Sequence, residues 1–192
     1  WKINDITKNI KEEGTYPQAS SQNTAIYSGG ATPSSVVTMD TFQINTAGNA
    51  VDFGDLAAGI RPTANAGDFI RCIICGGADP DVNTIQYVNY ATKGNTADFG
   101  DDLNDVQWKG GGGSNGTRSV WASGTTPGTT NISSIIVQTF GTIVDYGDLT
   151  EAKYGTAFGT NGNNITAAFS GGNSGSNTNR IETKDITSSG NN

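Results

Sequence analysis

Residues 50–59 read AVDFGDLAAG, and the string returns as TADFGDDLND at residues 96–105 and IVDYGDLTEA at residues 143–152. Asp-Phe-Gly also holds magnesium in protein kinases. A kinase needs in addition a glycine-rich loop, a strand lysine and a His-Arg-Asp loop. None of these is present, and the chain has no histidine. A catalytic site occurs once per domain, whereas this motif occurs once per repeat. It is therefore read as structural: a strand end and tight turn in which Gly54 supplies unusual backbone angles and Phe53 and Leu56 point inward. Calcium on a pair such as Asp52 and Asp55 is the competing reading. The loop lacks the dense carboxylates of a dedicated calcium site, so no metal is expected.

Alignment on Asp52, Asp98 and Asp145 gives spacings of about 46 and 47 residues. Further columns follow: Gly48, Gly94 and Gly141; Ile44, Tyr90 and Val137; Phe42, Val88 and Ile135; Met39, Ile85 and Ile132. The spacing of two between the second and third of these puts both on one face of a strand. Ile181, Ile186 and Gly190 continue the columns of Met39, Ile44 and Gly48. A second strand superimposes NTAIYSGG (residues 23–30), FIRCIICGG (69–77), GTRSVWASG (116–124) and NITAAFSGG (164–172). Tyr27, Ile74, Trp121 and Phe169 share one of its columns, and Ile26, Ile73, Val120 and Ala168 the next.

The first residues, WKINDITKNI, match VDYGDLTEAK, with Trp1 on Val144 and Asp5-Ile6-Thr7 on Asp148-Leu149-Thr150. Four units result, at about residues 1–50, 51–96, 97–143 and 144–192. The expected fold is all-β: a propeller of about four blades, with N- and C-terminal segments sharing one blade. In that arrangement the strand near Trp1 pairs with the strand over residues 181–186. Residues 57–68 read as a polar, variable segment, and only TKNIKEE near the start hints at a helical turn.

Composition narrows the function. Net charge is −7, and the 11 lysines and arginines form no cluster, so a surface that tracks nucleic-acid phosphates is not expected. No run of about 20 apolar residues predicts a membrane span. No signal-peptide pattern follows Trp1. The 27 glycines and 15% charged residues suit a secreted or virion all-β protein. Without histidine, Ser-His-Asp catalysis and His-ligated zinc are excluded.

Together the motifs INTAGNAVDFGDL (44–56), ATKGNTADFGDDL (91–103), SNGTR (114–118) and the Gly-Gly strand ends resemble the Kelch-like repeats of tail-associated proteins of marine bacteriophages. The resemblance covers the whole chain. It implies a β-propeller-like domain on a virion, in a fibre, adaptor or other tail part, present in many copies beside other tail proteins. The first unit lacks the full motif, the third has Tyr146, and arginine fills two of four strand positions, Arg71 and Arg118.

Other chemistry is sparse. Cys72 and Cys75 form a Cys-x-x-Cys pair, but zinc needs about four ligands and residues three apart on a strand face opposite sides. Their columns hold alanine and serine elsewhere, so both are read as buried free thiols. The run WKGGGGSNG (108–116) lacks the ending of a phosphate-binding loop and reads as a flexible exposed loop. Trp108 on it could stack on a sugar or fold back onto the blade. Trp108, Asn115 and Arg118 form the candidate ligand-binding set. The expected function is a non-enzymatic virion structural protein without cofactor that meets host surface glycan or another receptor. A secreted bacterial carbohydrate-binding or cell-surface module is the alternative.

Overall fold

The computed structural model describes residues 23–62, 64–124, 128–160 and 165–190. Among them the chain forms four small antiparallel sheets in series, each a meander of sequential strands. The first holds β1 (Thr24–Ser28), β2 (Thr38–Gln43) and β3 (Val51–Asp55). The second holds β4 (Ala64–Gly67), β5 (Arg71–Gly77), β6 (Val82–Asn89) and β7 (Ala97–Asp102). The third holds β8 (Gly111–Ser114), β9 (Arg118–Ala122), β10 (Thr129–Ile136) and β11 (Val144–Lys153). The fourth holds β12 (Ala157–Thr160), β13 (Thr166–Ser170) and β14 (Ile181–Asp185). The protein is all-β, as its composition and spacing predict.

Consecutive sheets bury one face against the next, and the repeat columns decide which face. Neighbouring columns on a strand point to opposite sides. Thus Ile74, Trp121 and Phe169 face the preceding sheet, while Ile73 and Val120 face the following one. The first junction packs Met39, Phe53, Leu56 and Ile60 against Cys72, Ile74 and Val88. The second packs Ile73, Cys75, Ile85, Phe99 and Leu103 against Trp121, Ile135 and Val137. The third packs Val120, Ala122, Ile132, Tyr146 and Leu149 against Ala167, Phe169 and Ile186. Each such side chain contributes roughly 1.5–3 kcal/mol when fully buried. On the first sheet, the corresponding residues Tyr27 and Ile44 are 67% and 61% exposed.

The acidic motif is strand rather than a tight turn. It lies inside the last strand of each of the first three sheets, β3, β7 and β11. Its ladder slips at a bulge opposite Met39 and Asp40 in β3, with comparable shifts in the pairings of β7 and β11. The bulge is what sends Phe53, Phe99 and Tyr146 into successive junctions. Asp98 and Asp145 fix it by accepting the amides of Gly100 and Gly147 at 2.8 and 3.0 Å. Gly54, at φ +147°, leaves room for the next unit: a Cβ there would lie 2.3 Å from the Gly94 carbonyl oxygen. Gly94 itself donates its amide to Phe53 O at 2.9 Å, and Gly190 repeats the contact on Tyr146 O at 3.2 Å. The conspicuous glycine column and the acidic motif are therefore two halves of one contact between neighbouring units.

Two segments differ from their sequence reading. The polar stretch 57–68 contains β4, and the glycine run contains β8 rather than a flexible exposed loop. The reason is crowding. β8 lies beside both β4 and β12, and only small residues fit there. A Cβ on Gly112 would sit 2.2 Å from Trp121 Cδ1, and one on Gly113 would sit 2.0 Å from Phe158 Cε1. The chain between sheets is pinned where it crosses the Gly-Gly strand ends. Gly30, Gly77 and Gly124 donate their amides to the carbonyls of Ile60, Gln107 and Lys153 at 3.0, 2.8 and 3.1 Å. The expected pairing of the strand near Trp1, and the helical turn at TKNIKEE, lie outside the described residues.

Candidate functional site

Trp108, Asn115 and Arg118 do not converge. Trp108 precedes β8 and Asn115 follows it, so about 13 Å of strand separates them at ~3.3 Å per residue. Asn115 is a turn former: its Oδ1 accepts the amides of Thr117 and Arg118 at 3.0 and 2.8 Å. Asp68 makes the same turn one unit earlier, accepting Ile70 and Arg71 at 2.8 Å each, which is why β5 starts at Arg71 rather than Phe69. Arg118 turns back onto its own sheet. Its guanidinium lies 4.7 Å from the Tyr146 ring centroid and donates to Ser134 Oγ at 2.8 Å.

Trp108 is half-buried, with the Lys109 ammonium 3.8 Å from its ring centroid and 5.7 Å from that of Tyr154. A cleft of about 410 Å³ opens beside this cluster, between Lys109, Tyr154, Gly155, Gly172, Asn173, Asn177 and Thr178. A sugar stacking on Trp108 would compete with Lys109 for the ring face. Asn115 lines a separate cleft of about 280 Å³ with Asp68, Phe69 and Tyr90. A third, of about 330 Å³, lies between the first and second sheets and is lined by Thr24, Thr41, Phe53, Tyr90 and Lys93 among others. No shared motif marks Thr24, Thr41 and Lys93, because the same columns hold Arg71, Tyr87 and Phe140 one unit on.

Cys72 and Cys75 are free and buried, on the first and second junctions respectively. Burial pushes the Cys72 thiol up to about 12, against a hydrogen bond with Tyr90 that lowers it, and burial raises Cys75 as well. Both stay protonated at neutral pH, which makes them poor nucleophiles. Among the described residues, no group of three or more His, Cys, Asp or Glu is placed to hold a metal ion.

Among the described residues, one ion pair is buried. Lys153 Nζ lies 2.5 Å from Glu182 Oε2, with side chains 0% and 5% exposed. Glu182 also accepts the Thr150 amide at 2.7 Å and the Thr150 hydroxyl. Burial alone would raise the Glu182 carboxyl, but Lys153 and Thr150 outweigh it and hold the group below the usual carboxylate range. The pair sits between β11 and β14 and ties the third sheet to the fourth. It fits a structural role better than an acid–base one, because both partners are occupied by each other. No protein-family model matches the chain, and no curated protein matches it.

Proposed function

We propose that this chain is a non-enzymatic virion module, a tail- or fibre-associated bacteriophage protein with a propeller-type ring of four sheets that meets host surface glycan through its loops. The observation that carries the reading is the use of the acidic motif. At each of three junctions its aromatic residue is buried core. The repeat is thus spent on a rigid frame, and variation is left to the loops, where recognition surfaces usually sit. Support for the ring comes from the serial meanders, the face-to-face junctions and the adjacency of β4, β8 and β12. The fourth sheet has three described strands, and the repeat columns would set residues 1–6 beside β14 as its fourth. Support for the virion comes from the resemblance to marine phage tail repeats.

On this reading many copies add up weak glycan contacts. The test is binding of the fluorescently labelled full chain to bacterial cells before and after enzymatic removal of their surface polysaccharide. Binding that depends on the polysaccharide, with no release of reducing ends, is expected. Reducing ends released by the chain would make it a depolymerase and overturn the reading.

A further inference from the structure

The three junctions share one set of columns, yet only two are plugged at the end where the β2–β3, β6–β7 and β10–β11 connections lie. At the second junction, Arg71, Tyr87, Phe99 and Phe140 fill this position. The Arg71 guanidinium is 4.3 Å from the Phe140 ring centroid and 5.3 Å from that of Tyr87. Phe140 lies 5.0 Å from Tyr87 and 5.5 Å from Phe99, centroid to centroid. At the third junction, Arg118 and Lys184 cover the Tyr146 ring at 4.7 and 5.1 Å. At the first junction the columns of Arg71, Tyr87, Phe99 and Phe140 hold Thr24, Thr41, Phe53 and Lys93. All four line the cleft of about 330 Å³ already described. The cleft exists because an arginine and two rings are replaced by two threonines and a lysine.

Its lining has a definite chemistry. Phe53 and Tyr90 supply aromatic carbon; Thr24, Thr41, Gln43 and Asn49 supply hydroxyl and amide groups. Thr41 is anchored by donating to Ala25 O at 2.9 Å, and Gln43 Nε2 donates to Thr24 Oγ1 at 3.0 Å, so this wall is held in place before any ligand arrives. Among the described lining residues Lys93 carries the one charge. Its position is set by its neighbour, since Gly94 is hydrogen-bonded to Phe53 O at 2.9 Å. A cavity at the lower end of the range for ligand pockets, roughly 300–1,000 Å³, has room for one sugar ring rather than a chain. A pyranose presents C–H faces to aromatic carbon and hydroxyls to a polar rim, and a carboxylate on it would meet Lys93.

We propose that the cleft between the first and second sheets binds one acidic pyranose residue of the hexuronate class, with its ring in the cleft and its carboxylate on Lys93. The proposal rests on the glycan-recognition reading and names the sugar class and the site.

The experiment follows backbone amide shifts of the full chain by NMR during titration with sodium glucuronate, glucose and sodium acetate. Glucuronate is expected to shift the amides of Thr41, Asn49, Lys93 and Gly94 saturably, with a Kd on the order of 1 mM. Glucose should bind about tenfold more weakly, because the charge-assisted bond is lost. Acetate should be weaker than glucuronate because it has no ring to fill the cleft. Lys93→Gln should erase the preference of glucuronate over glucose. Thr41→Tyr with Lys93→Phe copies the second junction and should abolish binding; should that pair fail to fold, Lys93→Gln decides alone. Absence of saturable shifts overturns the proposal. So does acetate matching glucuronate, which would mean an adventitious anion only, or glucose matching it. Loss of glucuronate binding in a chain that still binds polysaccharide-bearing cells removes this site and leaves the proposed function standing; the converse result removes the function and leaves the site.

Discussion

The second and third junctions use the same columns and are held together differently. The second is apolar at its centre: Trp121, Phe99 and Ile135 are all at most 1% exposed. The third admits charge in the buried Lys153–Glu182 pair, and its Tyr146 hydroxyl donates to Ile186 O at 2.8 Å. The contrast turns on one column. Glu182 occupies the place of Gln86, and each accepts the amide that follows the acidic motif of the preceding sheet, Thr150 N at 2.7 Å and Ala57 N at 3.0 Å. At the second junction the equivalent residue is Ser133. There the tie runs the other way, from Ile143 N to Asp101 Oδ2 at 2.8 Å. The backbone frame is constant, and each junction is tied by whatever side chain can reach a spare amide.

The contrast can be broken from either side. Trp121→Ala should cost most, about 4–5 kcal/mol of unfolding free energy in urea, because the Gly112 backbone packed on the ring cannot collapse into the space. Glu182→Ala should cost about 3–4 kcal/mol by leaving Lys153 charged and buried. Replacing both partners, as Lys153→Met with Glu182→Leu, should return stability to within about 1 kcal/mol of the parent chain. A double variant as unstable as Glu182→Ala would show that the third junction needs the ion pair itself.

Acid should act on the third junction through the same group. The folded carboxyl of Glu182 lies below its ordinary value of 4.5. Its contribution is therefore present above the unfolded value and is lost as pH falls through the folded one. The urea midpoint should drop as pH falls below that ordinary value, and the double variant should drop less over the same range. Equal drops would assign the acid sensitivity to other carboxylates. The smallest effect belongs to the rim of the second junction. Phe140 is 48% exposed, and Phe140→Ala should cost only about 1 kcal/mol through loss of its contact with Arg71.

Much of this arrangement is legible in the sequence, because repetition exposes columns that a single unit would hide. The register of the packing faces follows from Tyr27, Ile74, Trp121 and Phe169 sharing a position. The lead strands are not legible: ANAG in β4 and GGGS in β8 carry no β-branched or alternating signal. They are strands because neighbouring sheets close around them, a tertiary effect that overrides propensity. The acidic motif misleads in the same way, since Gly54 reads as a turn former while its role is to let another backbone approach. The Lys153–Glu182 pair is invisible to the repeat, as the two residues sit in unrelated columns. The open cleft at the first junction shows only once the departures at Thr24, Thr41 and Lys93 are set against filled counterparts.

The contact between the acidic motif and the next unit has a consequence for solubility. A last strand such as β3 would offer a row of unpaired backbone groups to any passing strand, the usual seed of edge-to-edge aggregation. Here Gly94 and Thr96 donate to the carbonyls of Phe53 and Asp55 at 2.9 and 2.8 Å, and Asn95 accepts the Asp55 amide at 3.0 Å. The guard is an irregular loop, so it satisfies the edge without extending the sheet. The second repeat thereby carries the cap for the first, and duplication of such a unit would add a new edge and its cover in the same step.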